Sequence, residues 1–533
     1  MNKPQKTTGD EVSALVLVPG QNVLLEDIAD VAIARKKVFM SAEAEHSLCK
    51  GRTRLEERIA GGEVIYGVNT GFGGNSHYII PVNQLAKHQD NLLTFLSAGT
   101  GNPLAEEFVR GAQFLTVLAL LRGWSAVRPE IVVSLVDHLN HGIVPVVPRH
   151  GSVGASGDLI PSSYIASAIC GQGLVQFGGR VMAAADAIES AGLRPVTLQA
   201  KEGLALVNGT RVMTAIAAIT TLRFAAAFEA ALGALVLAVE GLCASHCHYD
   251  ERIHLAKGHP GQILVARELR TALGNSRDAE SDARSAARTA NLSEKVGIAS
   301  EAAQEVYSIR CAPQILGPVV ESLQSVRPVL EREAVSANDN PLIDPETGDA
   351  LHGGNFMGQH VARAMDGLKI DMTIVANHLH SIMALMMDSR FSRGLPNSLS
   401  PQVGLSQGLK GVQLSQTALV AHLRRESAPS CVHTLVTEQF NQDIVSLGLH
   451  AAITAAEMEA KLRDVVAMTL LAAAQAIDLR ERADGLSPPA AALYRAIRSI
   501  SRPLLEDRRL DAEIAAISSA IAEGLLPSPA SIH

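Results

Sequence analysis

Aromatic residues are scarce in this sequence: eleven Phe, six Tyr and one Trp make up 3% of 533 residues. A large core must therefore come from aliphatic side chains, and each Tyr or Phe outside an apolar run raises a functional question. Cysteines are few as well. Cys49, Cys170, Cys243, Cys247, Cys311 and Cys431 show no disulfide framework, so a cytoplasmic location is expected. Positive charge is not in excess: 46 Lys and Arg stand against 54 Asp and Glu, a net charge of −8, which argues against a nucleic-acid partner. Long uncharged runs are missing too. The most apolar stretch, Val212 to Ala244, is interrupted by Arg223, Glu229 and Glu240, and the ten residues between the two glutamates are too short to span a bilayer. It reads as a helix buried on most faces, with no membrane partner. Met1 to Asp10 is polar and lacks the apolar core of a signal peptide. His246, Cys247 and His248 beside Cys243 raise the question of zinc. Cys243 and Cys247 lie at helical spacing, however, and no second ligand pair follows at a zinc-like distance, so no metal is expected.

Aliphatic residues are plentiful: the chain is 47% hydrophobic, ample for a large core. Residues 1–22 are expected to be mobile. Leu24 to Ile59 carries helical periodicity with Arg35, Lys36 and Lys37 on the polar face. Residues 61–80 are rich in glycine and read as loop. From Thr210 onward, long Ala/Leu/Val-rich segments favour helix, with loops expected at 338–358 and 388–412. The expected fold is mainly α: an N-terminal mixed, loop-rich region over 23–210, then a long-helix bundle with C-terminal helices over 211–533.

The most informative stretch is Gly151-Ser152-Val153-Gly154-Ala155-Ser156-Gly157-Asp158-Leu159-Ile160-Pro161. Its small residues let the backbone turn tightly and let non-neighbouring backbone atoms approach. In such a turn the amide nitrogen of Gly157 can attack the carbonyl carbon of Ala155 and close a five-membered ring. Loss of two waters, one carrying the Ser156 hydroxyl, leaves an exocyclic methylidene on an imidazolone. The product is an electrophile of a kind the standard side chains supply poorly. An isolated Ala-Ser-Gly is ordinarily a plain loop; the longer string and residues elsewhere favour the chemistry.

Those residues are Tyr66-Gly67-Val68-Asn69-Thr70-Gly71-Phe72-Gly73, Glu202-Gly203-Leu204-Ala205-Leu206-Val207-Asn208-Gly209-Thr210, Tyr307-Ser308-Ile309-Arg310-Cys311, Asn338-Asp339-Asn340-Pro341-Leu342 and Gly353-Gly354-Asn355-Phe356. With the Ala-Ser-Gly segment, and in this order, they resemble the aromatic amino acid ammonia-lyase family (histidine, phenylalanine and tyrosine ammonia-lyases). The resemblance is greatest to the phenylalanine lyases of bacteria. It implies a 4-methylidene-imidazol-5-one (MIO) group made from Ala155, Ser156 and Gly157 without metal. It also implies a homotetramer with active sites built from more than one subunit.

Removing ammonia from an aromatic amino acid requires loss of a barely acidic β-hydrogen and departure of a poor leaving group. An electrophile that adds to the amine improves the leaving group, a base must reach the β-carbon, and a cation must fix the carboxylate. By resemblance Tyr66 takes the β-proton. A phenol titrates at about 10 and must be made more acidic for this; alone, such a tyrosine more often anchors a turn. Arg310 binds the carboxylate, which a guanidinium matches bidentately as lysine cannot. Tyr307, placed with the catalytic set, and Gln304 line the site near the MIO. A lone arginine otherwise ends in a structural ion pair. Asn208 is placed on the MIO carbonyl, where a donor stabilises developing charge, and Leu204 on the substrate-facing wall. Asn340 and Phe356 match family site positions, though an Asn before Pro is otherwise an ordinary turn signal. Lys410, Glu438, Asn441 and Gln442 complete the set; without the resemblance they read as a solvated helix face.

Asn91-Leu92-Leu93-Thr94-Phe95-Leu96 resembles the ring-facing segment of the phenylalanine lyases. Tyrosine lyases carry a histidine at the Phe95 position, and histidine lyases a glutamate at the Gln442 position. A tyrosine hydroxyl left unpaired in an apolar pocket costs roughly 1–3 kcal/mol, one or two orders of magnitude in preference. Phe95 also suits simple core packing. The expected reaction is L-phenylalanine to trans-cinnamate and ammonia. The alternatives are a tyrosine or histidine lyase, and an aminomutase that returns ammonia to the β-carbon. Outside catalysis stands a helical scaffold that has lost activity, against which the intact Ala155-Ser156-Gly157, Tyr66 and Arg310 argue.

Overall fold

The computed structural model describes residues 14–274 and 304–532. Two compact units emerge, the first from Met1–Thr220, Arg327–Asp366 and Pro429–Ile453, the second from Thr221–Val326, Gly367–Ala428 and Thr454–His533. Sequence suggests one boundary at 210/211; the chain instead leaves the first unit after Thr220 and returns to it twice. Arg211–Gly241, Ala312–Ala334, Gln359–Met387 and Gly448–Leu479 are long helices that each give residues to both units.

In the first unit, Leu15–Leu17 is a strand parallel to Val38–Met40, with Leu17 and Val38 fully buried. The expectation of a mobile segment through residue 22 is thus corrected for residues 14–22; residues 1–13 lie outside those described. The periodicity of Leu24 to Ile59 resolves into two helices, Leu25–Ala32 and Ala42–Ala60. Between them Arg35 takes a left-handed backbone (φ +58°), and Val38-Phe39-Met40 takes the extended form its residue types favour. Ser41 then caps the second helix, its hydroxyl accepting from Ala44 N at 3.1 Å.

Helix Glu106–Leu120 is buried from Val109 to Leu120 and forms the centre of the unit. Its Arg110 donates to Val31 O at 2.9 Å and to Ala32 O and Leu139 O at 3.1 Å. These carbonyls lie in the last turns of Leu25–Ala32 and Pro129–His141, where a helix leaves oxygens without intrahelical partners. Short strands make the region mixed: Thr100–Pro103 pairs with Pro148–His150, and Leu174–Phe177 lies between Val144–Pro145 and Arg180–Ala183.

The second unit adds helices Pro260–Leu273, Lys410–Glu426, Pro488–Ile500 and Asp511–Ala522 to its shares of the long ones. The apolar stretch from Val212 forms a helix, Arg211–Gly241, most of whose apolar window is buried inside the protein, as its sequence suggests. Two details are corrected. By length and composition that helix and Gln359–Met387 are long and apolar enough to cross a bilayer. The helix before Cys243 ends at Gly241, Cys243 is left-handed (φ +52°), and Cys247 opens a separate single turn, so the two cysteines do not share a helix.

Candidate active site

Ala155 and Ser156 occupy the middle of a tight turn that Gly157 N closes onto Gly154 O at 3.4 Å. Gly154 (φ +78°), Ser156 (φ +52°) and Gly157 (φ +81°) are all left-handed. Two of these positions must be glycine. A Cβ on Gly157 would sit 2.0 Å from Gly209 O, and one on Gly154 would sit 2.3 Å from Ser446 Oγ. Ser152 Oγ braces the turn, accepting from Gly154 N and donating to Gly157 O, both at 3.0 Å. Asp158 N donates to Gly209 O at 2.6 Å. The Asp158 carboxyl is fully buried, which pushes its pKa up to about 7 although Met213 N donates to it at 2.8 Å.

This turn suits the MIO group. In the ring that Gly157 N and Ala155 C would close, the exocyclic oxygen is Ser156 O. That oxygen accepts from Asn208 Nδ2 at 2.8 Å and Gly209 N at 3.3 Å, two donors aimed where negative charge would build. Ser156 Oγ, the hydroxyl such a reaction would expel, accepts from Gln442 Nε2 at 3.2 Å.

Around the turn lies a cavity of about 770 Å³, all of it within the first unit. It brings together Tyr66, Phe95, Leu96, Ala155, Ser156, Leu204, Asn208, Asn340, Phe356, Glu438, Asn441 and Gln442 from six separate stretches of sequence. Phe95 is 58% exposed, so it serves the cavity wall and not core packing. The Tyr66 hydroxyl accepts from Gly73 N at 2.9 Å. Burial and then the nearby Glu438 raise the Tyr66 pKa, and the Gly73 N–H opposes them. The net shift is opposite to what a base needs, so the phenol requires further positive charge. Glu438 itself is raised by burial, and its carboxylate fills the space a side chain at Gly73 would take.

Glu438, Asn441 and Gln442 do not form the helix face that sequence suggests. Glu438, Gln439 and Phe440 are three consecutive left-handed residues (φ +49°, +55° and +64°), each of a type that resists this conformation. Thr437 N and Gln442 O close the turn at 3.0 Å. Lys410 is the first residue of a helix.

Four expected residues, Gln304, Tyr307, Arg310 and Lys410, belong to the second unit and are not among the cavity lining. Tyr307 and Arg310 share a single helical turn, the guanidinium 4.6 Å from the ring centre, and Tyr307 is 68% exposed. Sequence reasoning missed His352, whose Nε2 accepts from Tyr66 N at 3.3 Å, and Met357, Thr437 and Ile444 in the wall. His352 directly precedes the quoted Gly353-Gly354-Asn355-Phe356, the only signal that could have found it.

A model of the aromatic amino acid lyase family matches residues 23–499. A hal-like protein of Dictyostelium discoideum is 52% identical, covering 96% of this chain and 97% of its own length. Histidine ammonia-lyase of Koribacter versatilis is 34% identical over 96% of this chain and 98% of its own. Among solved structures, phenylalanine aminomutase of Pantoea agglomerans superposes with a TM-score of 0.92 at 34% identity, covering 96% of this chain and 99% of that one.

Proposed function

This chain belongs to the aromatic amino acid lyase family, and on that premise we propose that it converts L-phenylalanine to trans-cinnamate and ammonia with an MIO made from Ala155, Ser156 and Gly157. The observation that carries the substrate choice is the cavity wall: Leu92, Phe95, Leu96, Leu204 and Phe356 are apolar, and Gln442 beside Ser156 is uncharged.

When formed, the MIO group supplies the electrophile for the amine nitrogen. The side chains do the rest. Asn208 Nδ2 and Gly209 N hold the oxygen that gains charge. Tyr66 takes the β-proton on its phenolate oxygen, with Gly73 N–H holding that oxygen in place. Arg310 grips the substrate carboxylate, and Tyr307, Gln304 and Lys410 complete the site. We assign these four to a second subunit of a homotetramer with shared sites, as the family resemblance implies. The guanidinium, arriving with its subunit, also supplies the positive charge the Tyr66 phenol lacks.

The structural likeness to a phenylalanine aminomutase favours one second reading, in which ammonia returns to the β-carbon. A panel of L-phenylalanine, L-tyrosine and L-histidine, with products separated by chiral chromatography, tests both. A near-ultraviolet rise with phenylalanine and ammonia release is expected. Urocanate from histidine as the dominant product would overturn the substrate reading, and β-phenylalanine would establish the mutase. Ser156→Ala should abolish nearly all turnover with any of them.

A further inference from the structure

We propose that Gln442 is a catalytic residue of the chain's own maturation, acting on the Ser156 hydroxyl as it leaves. The inference rests on the reading that Ala155-Ser156-Gly157 cyclises. Three observations carry it. Gln442 Nε2 donates to Ser156 Oγ at 3.2 Å, so its carboxamide is placed on the atom to be expelled, not on the ring-closing amide. Gln442 is held there by a turn of three consecutive left-handed residues closed by the Thr437–Gln442 bond, a conformation the sequence does not favour and the fold imposes. The same segment is docked on the reacting turn: Leu447 N donates to Val153 O at 3.0 Å, and Ser446 occupies the space a side chain at Gly154 would need.

The step balances without an oxidant. Water removes the proton from Ser156 Cα. That C–H electron pair becomes the second Cα–Cβ bond, and the Cβ–Oγ bond breaks with its pair going to oxygen. The departing hydroxide takes a proton from water, so the chain loses one H2O net. The Gln442 N–H stabilises the charge that builds on Oγ and transfers no proton itself. Ring closure between Gly157 N and Ala155 C loses the other water and does not involve Oγ, so Gln442 should leave it untouched.

The test is intact-mass analysis of full-length chains at timed intervals after cell-free synthesis, with circular dichroism to confirm folding. Wild type should lose two waters. Gln442→Met keeps the side-chain length and removes the donor. It should accumulate chain lacking one water, with the second loss slowed roughly ten- to hundred-fold, the worth of one hydrogen bond to a charged group. Gln442→Asn keeps the carboxamide but falls one methylene short, so it should also be slow, and it decides the matter if the Met variant does not fold. Loss of both waters at the wild-type rate in a folded variant overturns the proposal and leaves the MIO reading standing. Retention of both waters in the variants alone also overturns it, because Gln442 would then act before elimination. Retention of both by wild type would sink the MIO reading itself.

Discussion

Ser156 holds a left-handed backbone that a serine resists at a cost of about 1–2 kcal/mol. Its neighbour Gly157 has no room for a single methyl group. Gly157→Ala should therefore be expressed unmatured or insoluble, readable by mass and by soluble yield. Tyr66→Phe should behave differently, because it removes the phenol without touching the turn. Turnover should fall by roughly 10²–10⁴-fold, the usual worth of a positioned base, while the two-water loss stays complete. Normal turnover in that variant would assign the β-proton to another group. Asp158 offers a pH test. Burial pushes its carboxyl up to about 7 in the folded chain, from an ordinary aspartate value of 3.8. A raised value means that its contribution to stability is full below the unfolded pKa and is lost as pH rises through 7. Asp158→Asn, built on Ser156→Ala so that maturation does not intervene, should gain in thermal midpoint relative to its parent as pH rises from about 4 to 7. A difference between the two that does not change with pH would contradict the titration.

Between the helices, Arg110 gives one buried guanidinium to the carbonyl ends of Leu25–Ala32 and Pro129–His141. Arg110→Met strands the buried Val31 and Ala32 carbonyls together, while Leu139 O keeps the Gly142 N–H at 3.3 Å. The expected loss is about 3 kcal/mol or more, seen as a sharply lowered denaturation midpoint. Nothing in the residues around Arg110 announces this role, because the helix ends it serves are distant in sequence. The helices themselves were largely legible, since apolar spacing reports a buried face whatever that face packs against. The break at 33–41 was not, because a left-handed Arg35 and a three-residue strand carry no periodic signal. The cavity wall was legible for a different reason: Tyr66, Ser156, Asn208 and Phe356 lie in short glycine-rich strings of unusual composition. His352 escaped because a single residue beside such a string has no pattern of its own. The left-handed turn at 438–440 also escaped, since Glu, Gln and Phe give no hint of that backbone.

On the scale of the whole molecule, the residues proposed for one reaction are divided. Tyr66, Ser156 and Asn208 line the cavity of the first unit, while Tyr307 and Arg310 belong to the second. If each site draws on two subunits, Tyr66→Phe and Arg310→Lys chains refolded together should regain a clear fraction of wild-type turnover that neither variant shows alone. Mixtures no more active than their parents would place every site within one chain. A last consequence follows from what presses on the Ala155-Ser156-Gly157 turn. Gly209 bears on Gly157, and Ser446 bears on Gly154 from almost 300 residues downstream. A nascent chain still lacking that downstream stretch has only the Gly209 side of the vice that compresses the turn. The electrophile should therefore be absent from chains stalled on the ribosome short of residue 446, and its appearance would be a chemical timestamp of completed folding. If the methylidene forms as proposed, its reactivity would be confined to chains that have already closed around it.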